Sequence, residues 1–322
     1  MNLPTENHLR QQVARYIAFS REKPATLELA FYGGNFTGMP RCKQERLLNI
    51  TDAMRQEQLI QKIRISTRPD DLDSSRLSFL QNHGVKTIEI GAQSMVDHVL
   101  RLSERGHTAQ DVRTSVSLAQ SFGMITGVHL MIGLPGDTPE SFDDTVTQVI
   151  AMKPDMVRLH PTLVFAETPL AKMYFNERYT PLGLAEAILL CKTALIRFEK
   201  ASISIIRLGL QTTETMEEEG NIIAGPFHPA FRSLVESAIF LDMATKLLDG
   251  KSVSPHKVSF TISPQDLSSF RGNRNANLRS LQSRFPLSDI SIIADTTMKR
   301  GTLALSMNNR CVATLHRSDL FP

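Results

Sequence analysis

The chain has 322 residues, 41% hydrophobic and 21% charged, a balance that fits a folded globular protein and excludes a disordered or fibrous one. No stretch of about 18 apolar residues occurs to span a membrane, and the polar opening MNLPTENHLRQQ has no signal-peptide core, so a cytoplasmic location is expected. A net charge of +3 is too weak to imply nucleic acid by itself, and the three cysteines, Cys42, Cys191 and Cys311, lie too far apart for a disulfide framework or a CxxC metal pattern.

In chain order, helical and strand-like patterns alternate. Residues 7–20 read as a helix. The run Leu27–Gly34 reads as a strand ending in the glycine-bearing turn of FYGGNFTG. A helix is predicted over 41–60, then a strand over Ile63–Arg68, a helix over 72–82 and a strand over Val85–Gln93. The helix predicted over 109–122 follows the cap-like Thr108. The strand Ile125–Leu134 precedes a helix over 138–152, where Thr138-Pro139 sets proline at a first helical position. The strand Met156–Val164, a helix over 181–200 and the strand Ile203–Gln211 complete the series. Six strands in βα alternation imply parallel pairing with right-handed crossovers.

Two architectures fit that order, a full or partial (β/α) barrel and an open doubly wound sheet. The strands favour the barrel. Arg64, Ser66 and Arg68 alternate with aliphatic residues or threonine, as do Glu89 and Gln93, His129 and Met131, and Arg158 and His160 with their neighbours. Strands covered by helices on both faces read as continuous apolar runs. Here one face is aliphatic and the other carries charge, as expected of a polar barrel interior. A structural ion-pair network inside the barrel is the competing reading for each of these residues alone.

Beyond Gln211 the composition changes. Residues 214–219 are acidic, and a helix follows with Phe231, Leu234, Val235, Ala238, Ile239 and Met243 on one face. From about Ser252 a small α/β unit is expected, with strands VSFTI, ISIIA and TLALSM and the helix NLRSLQSRF. The expected domains are therefore 1–212, a barrel; 213–250, a helical connector; and 251–322, a small basic unit. Between Arg271 and Arg310 seven basic residues face only Asp289 and Asp295. The turn Gly272-Asn273-Arg274-Asn275 before a helix resembles half of a KH-type unit, whose GxxG loop clamps the nucleic-acid backbone. Asn275 stands where the second glycine would be. That resemblance makes Arg271, Arg274 and Arg279 the candidate RNA contacts. The other reading is a plain appendage with a solvated basic face.

Taken together, FYGGNFTG, ISTRPDDL, EIGAQSM with LSERGHT, GVHLMIGLPGDT, VRLHPTLVFAETPL, IRLGLQ and GPFHPAFR resemble the radical SAM family, in the branch related to the catalytic subunit of Elongator. The likeness runs from about residue 25 to 240, in matching order. It implies α/β architecture as a partial (β/α)6 TIM-like barrel and S-adenosylmethionine (SAM) as ligand, and, if the RNA reading of the C-terminal unit holds, tRNA as the natural partner. It also implies roles. Gly33 and Gly34 match the turn whose backbone meets the amino group of the SAM methionine, where a Cβ would block approach. Asn35 stands where the family often has Glu or Thr. Ser66 and Arg68 would face the SAM methionine or the substrate, and Gln93 and Ser94 its ribose and carboxylate. Ile132 and Gly133 would pack beside adenine, and Leu159 and His160 would meet the adenine edge.

One family feature is missing. Radical SAM proteins hold a 4Fe-4S cluster on the three thiolates of a CxxxCxxC loop, and the cluster supplies the electron that cleaves SAM to a 5′-deoxyadenosyl radical. No CxxxCxxC occurs here. Residues 7–20 correspond to the helix after that loop. The expectation is that an upstream piece of roughly thirty or more residues, a strand plus a loop, is absent, leaving Leu27–Tyr32 as a sheet edge open to pairing. The alternative is a non-catalytic descendant that binds SAM or RNA. A third reading, an unrelated barrel hydrolase or lyase using His129, His160 and Glu89 as acid–base groups, explains the polar interior but not the glycine turn.

Overall fold

The computed structural model describes residues 3–20, 26–32, 34–210, 220–251, 257–308 and 310–321. Gly33, Gln211 and the acidic stretch 214–219 therefore lie outside the described residues. The fold is α/β, a parallel six-stranded sheet in the manner of a partial (β/α) barrel, with strands in the order β1-β2-β3-β4-β5-β7. The chain divides into two compact units, Met1–Met131 with Pro135–Arg158, and Ile132–Leu134 with Leu159–Pro322.

The first unit opens with α1 (Glu6–Phe19), capped by Thr5, which accepts from the His8 amide. β1 (Glu28–Phe31) pairs in parallel with β2 (Lys62–Thr67), with Leu29 opposite Ile63. Among the described residues no strand lies on the other edge of β1. α2 spans Arg41–Gln56, shorter than the helix predicted over 41–60, because Gln58 turns into the left-handed region at φ 59° and ends the helical path. α3 (Ser74–Asn82) starts behind Asp73, whose carboxylate caps the Arg76 amide. β3 (Val85–Gln93) and α4 (Asp97–Leu102) follow. α5 (Ala109–Ser121) begins in a capping box between Thr108 and Asp111, and each such cap is worth about 1 kcal/mol. β4 (Ile125–Ile132), α6 (Pro139–Met152) with the expected proline start, and β5 (Met156–Pro161) complete the series.

The alternation predicted from sequence is present in β2, β4 and β5, whereas in β3 Thr87, Ile88, Glu89 and Ile90 are all buried. In β2, Ile63, Ile65 and Thr67 are buried while Arg64 and Ser66 are half-buried on the other face. β4 shows the same pattern, with Val128, Leu130 and Ile132 buried and His129 and Met131 half-buried. Ile63, Ile65, Ile88 and Ile90 are fully buried. Each such side chain contributes about 1.5–3 kcal/mol, so the aliphatic face fixes the strand register and leaves the polar face free for other work.

In the second unit the strand predicted over Met156–Val164 is interrupted. β5 ends at Pro161, and Val164–Phe165, β6, pairs instead with β8 (Ile222–Ala224). Between them come α7 (Pro169–Phe175), α8 (Leu184–Lys200) and β7 (Ser204–Leu208). α9 (Phe231–Leu248) buries Phe231, Val235, Ile239 and Met243, much of the face read from its spacing. The last sheet has the order β10-β9-β11-β12. It comprises β9 (Lys257–Ile262), β10 (Asp289–Ala294), β11 (Thr302–Met307) and β12 (Arg310–His316), with α10 (Leu267–Arg271) and α11 (Ala276–Arg284) between β9 and β10. α8 and α9 are joined by charge. Lys192 pairs with Asp242, and Arg317 bridges Glu199 and Glu236. Among the described residues no helix is long and apolar enough to cross a membrane.

Candidate functional site

The polar face of the first unit divides into a neutralised network and an open pocket. In the network, Glu89 on β3 accepts from Arg64 Nη1 at 2.5 Å and from Tyr32 Oη at 3.0 Å. Its second oxygen lies 2.7 Å from Arg158 Nε, close enough for an ion pair though not aligned as a hydrogen bond. Arg64 also pairs with Glu28, and Arg158 donates to the Tyr32 hydroxyl while its guanidinium lies over the Tyr32 ring at 4.4 Å. Two cations and two carboxylates cancel, as a low-dielectric interior requires. Burial, and then the neighbouring Glu89 carboxylate, push the Tyr32 phenol above its ordinary pKa. This part reads as structure.

The pocket lies beside the C-terminal ends of β2 and β3, where barrels place chemistry. Its volume is about 260 Å³. Gly34 and Asn35 line it from the turn after β1, and Ser66 and Arg68 from the end of β2. Asn35 is a strut: it donates to Asp71 and accepts from Thr37 Oγ1 at 3.0 Å and from the Arg68 amide at 3.2 Å. The Phe36 amide bonds the Ser66 carbonyl at 2.9 Å. The glycine turn is thus pinned to β2. A Cβ built on Gly34 would meet nothing within 4 Å, so its backbone borders open space.

The end of β3 is irregular. Its register against β4 shifts between Ile90 and Gln93, and Gln93 sits at φ 66°, an uncommon conformation for a side chain of this size. The bulge turns Gln93 into the pocket. Gly91 makes room, since a Cβ there would come within 2.9 Å of Gln93 Nε2. Ser94, next in sequence, is buried, its hydroxyl bonded to Thr145 at 3.3 Å and to the Val96 amide at 3.1 Å.

Two lining groups come from the segment between α4 and α5 and were given no role from sequence. His107 Nε2 donates to the Ala92 carbonyl at 3.0 Å. Arg105 donates from Nη2 to Met131 Sδ at 3.2 Å. Gln93 Oε1, Arg105 Nε and His107 Nδ1 are all buried without a hydrogen-bond partner. Burial, helped by nearby Arg68, pulls the Arg105 pKa below its ordinary value. Buried polar groups are normally satisfied, so three orphans around one cavity point to a polar ligand.

The other candidates lie in the second unit. The Ile132 carbonyl accepts from the Thr162 amide at 2.9 Å, and the Leu159 carbonyl from the Gly209 amide at 2.9 Å. Gly133, at φ 74°, accepts from Tyr179 Oη at 2.6 Å. His160 is half-buried on β5. Arg271, Arg274 and Arg279 are exposed around the Gly272–Asn275 turn. That turn is fastened from below by buried Asn277, whose Nδ2 donates to the Ser237 carbonyl at 2.9 Å and the Phe270 carbonyl at 3.0 Å.

A small polar ligand would meet the unpartnered donors and acceptors of the pocket. A 4Fe-4S cluster does not fit the donors this chain provides. Among the described residues no three His, Cys, Asp or Glu side chains are gathered to hold a metal. Cys42 and Cys311 are exposed and Cys191 is buried.

Residues 4–149 match the radical SAM superfamily, and residues 154–240 match the radical SAM C-terminal domain. The chain is 32% identical over 127 residues to the tRNA uridine(34) acetyltransferase of Methanocaldococcus jannaschii, covering 38% of this chain and 24% of that protein. It is 35% identical over 132 residues to Elongator complex protein 3 of Homo sapiens, covering 39% of this chain and 24% of that one. A solved structure of the archaeal Methanocaldococcus infernus Elp3 with an N-terminal deletion superposes with a TM-score of 0.62 at 23% identity, covering 76% of this chain and 58% of that one. That last likeness speaks to the fold. The matched stretches span about a quarter of each of these two curated relatives.

Proposed function

This chain belongs to the radical SAM superfamily, in the branch related to Elongator, and from that premise we propose that the pocket between Gly34, Ser66 and Gln93 binds S-adenosylmethionine in a protein that acts on RNA. The observation that carries the proposal is the set of three orphaned polar atoms, on Gln93, Arg105 and His107, around one cavity at the strand ends. A small ligand rich in donors and acceptors satisfies them; an apolar one does not. The backbone at Gly34, open to the cavity, would receive the amino end of SAM, with Ser66 and Arg68 alongside it. Ile132, Gly133, Leu159 and His160 are assigned to the adenine end by resemblance.

When bound to a 4Fe-4S cluster, SAM supplies a 5′-deoxyadenosyl radical in this superfamily. The thiolates for that cluster are not among the cysteines of this chain, so what its own residues would do is bind and orient SAM. This favours binding without radical chemistry as the second reading for the chain by itself. The RNA assignment rests on the relatives, one of which is named for tRNA uridine(34), and on the exposed Arg271, Arg274 and Arg279. Isothermal titration of the purified 322-residue chain with SAM is the test. Saturable one-to-one binding is expected, and a flat titration at millimolar SAM would refute the assignment.

A further inference from the structure

We infer that the apolar cavity between α1, β1 and the start of α2 is a second ligand site, which takes a small amphipathic anion: a single hydrocarbon chain ending in a carboxylate, the chain inside and the carboxylate at Lys43. The inference does not depend on the SAM assignment.

How little α1 packs is the first observation. The helix has 14 residues and buries only Leu9. Val13 is half-buried, and Tyr16 and Phe19 are 62% and 81% exposed. Packing of an apolar face is what ordinarily holds a short helix in place. Here charge does much of it. Arg10 donates to both carboxylate oxygens of Glu57, at 2.6 and 2.8 Å, and tethers α1 to the residue just past α2. Beside the tethered helix lies a cavity of about 560 Å³, within the ~300–1,000 Å³ of small-molecule sites.

Its walls are held by fixed parts. Leu9, Phe31, Met39 and Leu47 line it. Phe31 packs on the Phe36 ring with centroids 5.3 Å apart. Gln44 Nε2 donates to the Thr37 and Met39 carbonyls at 3.0 and 2.7 Å, which holds the loop before α2. These walls suit hydrocarbon, because they give a polar chain no partner for the hydrogen bonds it loses with water. Charge then sets the end group. Among the described residues no Asp or Glu lines the cavity, and its two bases are His8 and Lys43. The first turn of α2 carries no acidic residue. Arg41 in that turn is matched by Glu45 at 3.3 Å, whereas Lys43 is exposed and has no carboxylate partner among the described residues. An unmatched ammonium at the rim of an apolar cavity complements an anionic end on an apolar chain. Gly34 and Asn35 line this cavity and the strand-end pocket alike, so the two sites share one turn as a wall.

The test is isothermal titration of the whole chain with decanoate, octanoate and decanol. Saturable one-to-one binding of decanoate is expected, ~16-fold tighter than octanoate, two buried methylenes at roughly fourfold each. Lys43→Gln should weaken decanoate by ~2- to 5-fold, the worth of an exposed ion pair, and leave decanol unchanged. Arg105→Gln, in the strand-end pocket, should leave decanoate unchanged. Ala30→Phe should fill the cavity and abolish binding of decanoate and decanol alike. A flat titration at millimolar decanoate overturns the inference, as does a Lys43→Gln variant that weakens both ligands equally or neither. A loss of decanoate binding in Arg105→Gln puts the anion in the other pocket and overturns it too. The chain-length and Lys43 comparisons decide even if Ala30→Phe fails to fold. A concentration-dependent dimer in sedimentation that Ala30→Phe abolishes would give the cavity to a second copy of the chain, which also overturns the inference.

Discussion

Glu89 on β3 and Arg158 on β5 sit 2.7 Å apart, Oε2 to Nε, and the same carboxylate holds Arg64 at 2.5 Å. Glu89 is 3% exposed, so one buried carboxylate neutralises two cations from the strands on either side of β3 and β4. Glu89→Gln keeps the shape and removes the charge, leaving Arg158 without a carboxylate and Arg64 with Glu28 alone. Breaking a buried pair from one side costs about 3–5 kcal/mol, and that loss is expected in urea denaturation. Asp70→Asn, at the half-exposed pair with Arg68, should cost under ~1 kcal/mol. Equal losses would show that the network is no stronger than a surface pair.

The glycine turn separates folding from binding. A Cβ at Gly34 meets no atom within 4 Å, and Gly34 has no positive φ that would strain a larger residue. Gly34→Val should therefore fold, with an unchanged circular-dichroism spectrum. Its side chain would occupy the cavity beside Asn35 and Ser66, so SAM affinity should fall at least ~10-fold, a loss of about 1.4 kcal/mol or more. Undiminished SAM binding by a folded Gly34→Val protein contradicts the place given to this turn.

Much of this site could be read from the chain, and the exceptions have physical causes. Period-two alternation placed Arg64, Ser66, His129 and Arg158 on one face because a strand has only two faces. Ser94 escaped that logic. The register shift after Ile90 and the positive φ of Gln93 break the period just before it. Arg105 and His107 sit in a segment with no period at all. Their position depends on a hydrogen bond to Ala92, 15 residues back, and a contact to Met131, 26 residues on. β12 was hidden for a related reason. Arg310, Cys311 and Val312 are all exposed, and its register with β11 shifts at Leu305/Ser306.

Asp73 makes the stability of the first unit depend on pH. The Arg76 amide at the start of α3, then Ser75, hold its carboxylate below the ordinary aspartate value. A carboxylate with a lowered folded pKa stabilises above the unfolded value, ~3.9, and loses that contribution as pH falls through the folded one. Asp73 is largely exposed, so its cap should be worth about 0.5–1 kcal/mol. Asp73→Ala should cost that amount at pH 7 and nothing near pH 2. A cost that grows on acidification would contradict the cap.

The cysteines should divide two to one. Cys42 and Cys311 are exposed, whereas Cys191 is fully buried in α8 and burial pushes its thiol well above the ordinary value. The thiolate is the reactive form. Titration with a chromogenic disulfide at pH 8 should release two equivalents from the native protein and the third only on unfolding. Three fast equivalents would place Cys191 outside the core described for α8.

Arg271, Arg274 and Arg279 give the RNA assignment its measurable form. All three are exposed around one turn, and Arg279 also donates to the Arg274 carbonyl, holding the loop in shape. Phosphate contacts weaken binding uniformly across sequences and release counterions. The triple Arg→Gln variant should therefore bind tRNA more weakly, with the slope of log K against log salt shallower by about two if each arginine neutralises one phosphate. The anchoring residue Asn277 is left in place, so the fold of α10 and α11 should persist in the variant's melting curve. Unchanged affinity and unchanged slope would make this basic face a solvated surface. A fall in affinity without a change in slope would point to lost loop shape, which Arg279→Gln alone would then reproduce.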